Sequence, residues 1–286
     1  MDYYKIAGLT IALNNQPFDY VTERLNDYRI SSCNADLAVD IVLCDAIINV
    51  NYDVVKEKGK LFYCRTIEGG YAVKEWDGVR VNSLLEADEN ITRATITLTN
   101  EESPTLSNDK KLFNMLGELF KYALVLHGGI VMHGSSISYK GMGLLFSAPS
   151  GTGKTTHTSL WREYYPNDTA IINDDTPAVI FKDGKLYLCG TPWSGTTELN
   201  NNVTAEHLAT VFITRGTSNT LTELKGEEAL LHMLIETRML PYAELMKRYW
   251  EVFTQLAESK TYLLSCDMSK KAVDVVKRNI DEQIKV

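Results

Sequence analysis

Leu144-Leu145-Phe146-Ser147-Ala148-Pro149-Ser150-Gly151-Thr152-Gly153-Lys154-Thr155-Thr156 is the stretch on which the reading of this chain turns. It passes from a short apolar strand through a glycine-rich loop into the opening of a helix, the context in which a phosphate-binding P-loop works. Gly151 and Gly153 permit backbone conformations closed to other residues, so that successive N–H groups turn toward phosphate oxygens. Lys154 is then placed to reach the β and γ phosphates, and Thr155 to set its hydroxyl on a magnesium ion. The following helix aims its positive end at the same anion. Ser150, Gly151, Thr152, Gly153, Lys154, Thr155 and Thr156 are therefore the expected nucleotide-contacting residues. The usual pattern opens with glycine; the small Ala148 stands in that place.

A second acidic element is expected some 20 residues past the P-loop lysine, and Asp174-Asp175 closes the apolar run Ala170-Ile171-Ile172-Asn173 at that distance. One carboxylate of such a pair binds magnesium and its neighbour accepts a proton from an attacking hydroxyl, in a reaction driven by positioning and charge neutralisation. His133 lies in Ile130-Val131-Met132-His133-Gly134-Ser135-Ser136-Ile137-Ser138, which reads as one strand turning through Tyr139-Lys140-Gly141-Met142 into the strand of the P-loop. That placement carries the imidazole toward the phosphate end of the sheet.

Composition bounds the remaining classes. The 286 residues are 44% hydrophobic and 23% charged, enough for one or two globular domains. No apolar run approaches the roughly 18 residues of a membrane span, and the start lacks the shape of a signal peptide. A cytoplasmic location is expected. Five scattered cysteines without a CxxC pair, and five scattered histidines, argue against a disulfide framework or a structural zinc. The net charge of −8 leaves no electrostatic footprint for nucleic acid.

Residues 1–105 carry 10 Lys and Arg against 17 Asp and Glu. They read as a β-rich domain of unknown role. Alternation marks Lys5 to Leu13, Asp40 to Leu43, Leu61 to Arg65 and Arg93 to Thr99, with turns at Gly69-Gly70 and Asp77-Gly78. The polar stretch Asn100 to Asp109 is the expected boundary, and residues 106–286 the catalytic domain. Its first helix, capped by Ser107 or Asp109, repeats Leu112, Leu116, Leu119, Phe120, Ala123 and Leu124 before Gly128-Gly129. Further on, Ala178 to Cys189 reads as a hairpin with Asp183-Gly184 at its tip, Ala209 to Ile213 as a strand, and the C-terminal quarter as mostly helical.

The ordered set Val131-Met132-His133-Gly134, Ser150-Gly151-Thr152-Gly153-Lys154-Thr155 and Asn173-Asp174-Asp175 resembles the catalytic domain of HPr kinase/phosphorylase and the nucleotide-binding half of ATP-dependent phosphoenolpyruvate carboxykinase. The resemblance spans about residues 110 to 266. It implies an α/β fold with a mixed rather than plain parallel sheet, ATP and magnesium as cofactors, and a homo-oligomer. It also implies that Asp174 is the base, that Asp175 and Thr155 hold the metal, and that His133 lies beside metal and phosphate. A Glu-Ile-Arg-Gly-like loop, the second signature of HPr kinase, is not seen. Gly190-Thr191-Pro192-Trp193-Ser194-Gly195-Thr196 stands in about its place, so phosphorolysis and HPr itself are not carried over. The oxaloacetate-binding half of a carboxykinase is likewise not recognisable.

The expectation is an ATP-dependent kinase for a hydroxyl, on a serine of a small protein or peptide. A small-metabolite kinase and a non-catalytic ATP-sensing module are the alternatives. Trp193 reads as a pocket flank or a plain loop anchor, and Arg215 as a γ-phosphate ligand or a surface cation.

Overall fold

The computed structural model describes residues 1–101, 106–237 and 239–284. They fall into two compact units, Met1–His127 with Met239–Arg248, and Gly128–Arg238 with Tyr249–Val286. Each is built on a mixed sheet.

In the first unit, β1 (Asp2–Ile6), β2 (Leu9–Asn14), α1 (Asp19–Leu25), β3 (Arg29–Ile30), β4 (Leu37–Cys44), β5 (Asp53–Lys58), β6 (Leu61–Arg65), β7 (Tyr71–Trp76), β8 (Val81–Ala87), β9 (Arg93–Thr99) and α2 (Asn108–Leu126) follow in order. The strands run β3-β1-β2-β4-β9-β8-β7-β6-β5, with β2, β4 and β9 parallel. The alternating run Lys5 to Leu13 is a hairpin rather than one strand, because Ala7 and Gly8 both take positive φ and fold it back. Ala94, Ile96 and Leu98 of β9 are buried as their alternation predicts. Edge strand β5 is exposed along its whole length and carries Lys56 and Lys58, charges that discourage pairing with another chain.

Helix α2 buries the six apolar positions expected of it, and Gly128, at φ 75°, follows its end. Ser107 occupies the N-cap position, but its hydroxyl turns to the Asp109 carboxylate instead of a helix amide. The helix packs on α1 and β9, with Tyr20 edge-on to Phe113. The division between units therefore falls after α2, not at residues 105 and 106 before it. Residues 102–105 of the polar stretch lie outside the described residues.

The second unit holds β10 (Gly129–Val131), β11 (Ser135–Tyr139), β12 (Met142–Ser147), α3 (Lys154–Tyr164), β13 (Thr169–Asn173), β14 (Ala178–Lys182), β15 (Lys185–Cys189), β16 (Thr204–Arg215), β17 (Thr220–Leu224), α4 (Glu227–Ile235), the later part of α5 (Ala243–Glu258), β18 (Thr261–Cys266) and α6 (Lys270–Ile284). Its strands run β10-β14-β15-β16-β12-β11-β13, with β18 on β16 and β17 on β18. Among the described residues of this unit, only β12, β16 and β18 pair in parallel. One face, Leu144 and Phe146 of β12, Ala209, Val211 and Ile213 of β16, and Tyr262 and Leu264 of β18, packs with Trp161 of α3 and Ala272, Val273, Val276 and Ile280 of α6. The period of 2 along the strands meets the period of 3.6 along α6, which closes this core.

The strand expected over Ile130 to Ser138 is broken. Residues 129–131 pair with β14 and residues 135–139 with β12 and β13, so His133 sits in the corner between two strands rather than inside one. Gly134 makes the corner possible, since a Cβ there would come within 2.8 Å of the Phe146 carbonyl oxygen and Leu145 Cδ1.

Two histidines are buried in this unit. His157 Nε2 accepts from Trp161 Nε1 at 3.2 Å, and His207 Nε2 lies 3.0 Å from Thr210 Oγ1. Burial pushes the His157 imidazole down to about 3 and that of His207 down to about 4, from the usual 6.5. Both are held neutral in the fold, whereas the unfolded chain takes up their protons near 6.5. Their contribution to stability is complete above 6.5 and is lost as pH falls toward the folded values. The thermal midpoint should drop between pH 7 and pH 5, and His157→Gln with His207→Gln should flatten that slope.

Candidate functional site

Topology brings the three motifs to one place. Strand β11 runs antiparallel between β12 and β13, pairing Ser135 with Phe146 and Ser136 with Asn173. The start of β11 therefore lies beside the ends of its two neighbours. His133 precedes that start, the glycine-rich loop of residues 148–153 leaves the end of β12, and Asp174-Asp175 leaves the end of β13. Parallel β16 brings Arg215 to the same end.

A cleft of about 330 Å³ opens there, lined by His133, Ser150, Gly151, Gly153, Lys154, Thr155, Thr156, Asp174, Asp175 and Arg215, with Ser194, Gly195, Thr196 and Thr197. Of the expected nucleotide contacts, Thr152 does not line it. Trp193 does not line it either, and its carbonyl is tied into the loop beneath. Larger clefts exist, among them one of about 930 Å³ between the start of α4 and the end of α5. Chemistry, not volume, singles out this one.

The loop takes its shape from φ of 78° at Gly151 and 124° at Gly153, values that disfavour any side chain. Arg215, which also lines the cleft, holds the loop, its Nη2 donating to the Gly151 carbonyl at 2.8 Å and its Nε to the Thr152 carbonyl at 3.1 Å. Arg215 thus acts on the loop backbone. The Thr152 N–H turns back within the loop, donating to the Pro149 carbonyl at 3.2 Å.

Lys154 Nζ donates to the Ala148 carbonyl at 2.7 Å and lies 3.1 Å from His133 Nε2. An ammonium can only donate, so Nε2 is the acceptor and the imidazole proton sits on Nδ1. That nitrogen faces Asp175 Oδ1 at 3.5 Å. Lysine, histidine and aspartate thereby form one polar chain. The corner holding the imidazole is fixed on both sides, by Ser147 Oγ donating to the His133 carbonyl at 2.8 Å and Gly134 N–H to the Asp175 carbonyl at 3.0 Å. Glu236 is a further carboxylate near Lys154; burial pushes its pKa up, against the opposing pull of Lys154 and His232.

Asn173 shapes the acidic corner. Its fully buried side-chain oxygen accepts from Asp175 N–H at 2.8 Å and Thr176 N–H at 2.7 Å, while its Nδ2 donates to the carbonyls of Thr191 at 2.8 Å and Trp193 at 3.2 Å. Thr176 Oγ1 also donates to the Trp193 carbonyl. One amide thus joins the aspartate turn to the loop carrying Ser194 to Thr197. Gly195, at φ 63°, lies against Asp175, where a Cβ would come within 3.1 Å of the aspartate side chain.

Asp174 is 6% exposed, with Oδ1 accepting from Ser135 Oγ at 2.5 Å and Oδ2 buried without a hydrogen-bond partner among the described residues. Sequence reasoning missed Ser135 and its partner Thr158. The available signal was the serine pair Ser135-Ser136 directly after His133-Gly134.

Among the described residues no three His, Cys, Asp or Glu side chains converge as a metal cage. Thr155, Asp174 and Asp175 instead offer the oxygen donors of a magnesium held jointly with phosphates, and the unpartnered Asp174 Oδ2 is an acceptor such an ion would satisfy. The residues fit the group.

No protein-family model matches the chain, and no curated protein matches it. Among solved structures, the HPr(Ser) kinase/phosphatase from Coxiella burnetii aligns with a TM-score of 0.35 and 9% identity, over 55% of this chain and 99% of that one. This is a distant likeness, from which no property passes to this protein.

Asn173→Ala would orphan two part-buried N–H groups and the Thr191 carbonyl, while the Trp193 carbonyl keeps the Thr176 hydroxyl. It should lower stability by about 3 kcal/mol, read as a shift of the denaturation midpoint, with the loss of the cleft's order following from it.

Proposed function

We propose that this protein is an ATP- and magnesium-dependent phosphotransferase that moves the γ-phosphoryl group to an alcohol, a serine hydroxyl of a small protein or peptide. The observation that carries the reading is the Lys154–His133–Asp175 chain lying across a P-loop cleft beside the buried carboxylate of Asp174. The choice of a protein serine follows the sequence resemblance.

The loop amides and the N-terminus of α3 bind the phosphates. Lys154 leaves Ala148 and His133 for the β and γ oxygens, exchanging neutral acceptors for charged ones. Thr155 and a carboxylate of the Asp174-Asp175 pair would hold magnesium, which supplies charge neutralisation on the phosphates when bound. The other carboxylate takes the proton of the acceptor hydroxyl as its oxygen bonds to the γ phosphorus and ADP departs with the bridging electron pair. His133, whose Nδ1 lies 3.5 Å from Asp175 Oδ1, would orient Asp175.

Incubation with γ-labelled ATP, magnesium and cell extract tests this. Acid-stable label on a polypeptide is the expected result, and Lys154→Ala should reduce it by about 100-fold or more. Label confined to a small molecule would make the protein a metabolite kinase. Saturable ATP binding with no turnover would make it a sensing module.

A further inference from the structure

The phosphotransferase reading, on which this inference rests, needs one carboxylate for a cation and one for a proton, and the resemblance gives the cation to Asp175. The surroundings of the two side chains point the other way. Asp174 is enclosed: Ser135 Oγ, itself fully buried, donates to Oδ1 and lies 2.8 Å from Thr158 Oγ1. Since the Ser135 proton goes to Asp174, Thr158 is the donor in that pair, and its Oγ1 lies 3.3 Å from the Lys154 carbonyl and 3.2 Å from that of Thr155, in the first turn of α3. This hydroxyl pair ties Asp174 to the residue whose own side chain is expected on the metal.

With Oδ1 taken by Ser135, Oδ2 is buried without a hydrogen-bond partner among the described residues, on a residue that lines the cleft. A carboxylate oxygen in that state is strongly disfavoured unless a cation or a donor meets it. Asp175 differs in each respect. Its side chain is 31% exposed, it lies against the open backbone of Gly195, and it has the His133 imidazole at hand. Of the two carboxylates lining the cleft, Asp175 is the more exposed to a hydroxyl arriving from solvent.

We propose that Asp174 is the cation-holding carboxylate, through Oδ2 and together with Thr155, that Asp175 is the base, and that Ser135 and Thr158 are positioning residues for Asp174. The acceptor's O–H proton passes to Asp175 as the new O–P bond forms. The bond between the γ phosphorus and the β–γ bridging oxygen breaks, and its electron pair leaves on ADP.

Manganese serves as the probe, its binding to the full chain in the presence of ADP followed by electron paramagnetic resonance, with phosphoryl transfer measured separately. Asp174→Asn should weaken manganese binding about tenfold or more, and so should Ser135→Ala, which keeps both carboxylates and provides the test if Asp174→Asn does not fold. Asp175→Asn should leave manganese and ADP affinity unchanged while lowering turnover about 100-fold or more. An unaltered thermal midpoint separates loss of positioning from loss of fold in Ser135→Ala. Manganese lost in Asp175→Asn and kept in Asp174→Asn, or weakened equally in both, would overturn the assignment and leave the phosphotransferase reading standing. A wild-type chain that binds neither ADP nor manganese would remove that reading and this assignment with it.

Discussion

The antiparallel insertion of β11 between β12 and β13 is the constraint from which the site follows. Were the three strands parallel, the start of the middle one would lie at the far end of the sheet from the P-loop. Reversal of one strand puts His133 level with the ends of both neighbours, and a corner at Gly134 too tight for a Cβ turns the imidazole's backbone into the cleft. A mixed sheet is thus a requirement of this arrangement rather than an incidental feature of the fold. The apolar face of the same sheet, closed by α3 and α6, holds that geometry rigid.

Within the cleft, the polar groups are arranged so that each steadies another. Lys154 is held by a carbonyl and an imidazole, the imidazole meets Asp175, and Asn173 locks the turn bearing both aspartates to the loop beyond. Such a network holds a cation and two carboxylates close together, with Glu236 a further carboxylate near Lys154. On the proposed reading, a triphosphate gives that ammonium charged oxygens in place of a carbonyl and an imidazole.

Much of this was legible in the residues. The turn between β12 and α3 announces itself through Gly151 and Gly153, which take the positive φ that glycine permits, and the corner after β13 through two charges, Asp174-Asp175, directly after an apolar run. Hairpins at Asp77-Gly78 and Asp183-Gly184 followed from turn chemistry. The break at Met132 to Gly134 was not legible, because both flanking segments are strands and only tertiary pairing reveals that they serve different neighbours. Ser135 and Thr158 were hidden for a related reason: a buried hydroxyl has no pattern of its own until its partner is known. Strands β5 and β17 escaped because both are largely exposed and lack alternation, and α1 because seven residues hold too few turns for a period to show. The domain boundary was displaced because a polar stretch marks a surface crossing, whereas the helix after it is assigned by what its apolar face meets.

The most direct measurement is a crystal structure of the protein with magnesium and a non-hydrolysable ATP analogue. The account predicts the triphosphate tail seated on the amides of residues 150–155, Lys154 Nζ transferred from Ala148 and His133 to phosphate oxygens, and both aspartates facing the γ phosphate. An analogue bound away from this loop, or one bound with Lys154 still on the Ala148 carbonyl and the aspartates turned aside, would contradict it.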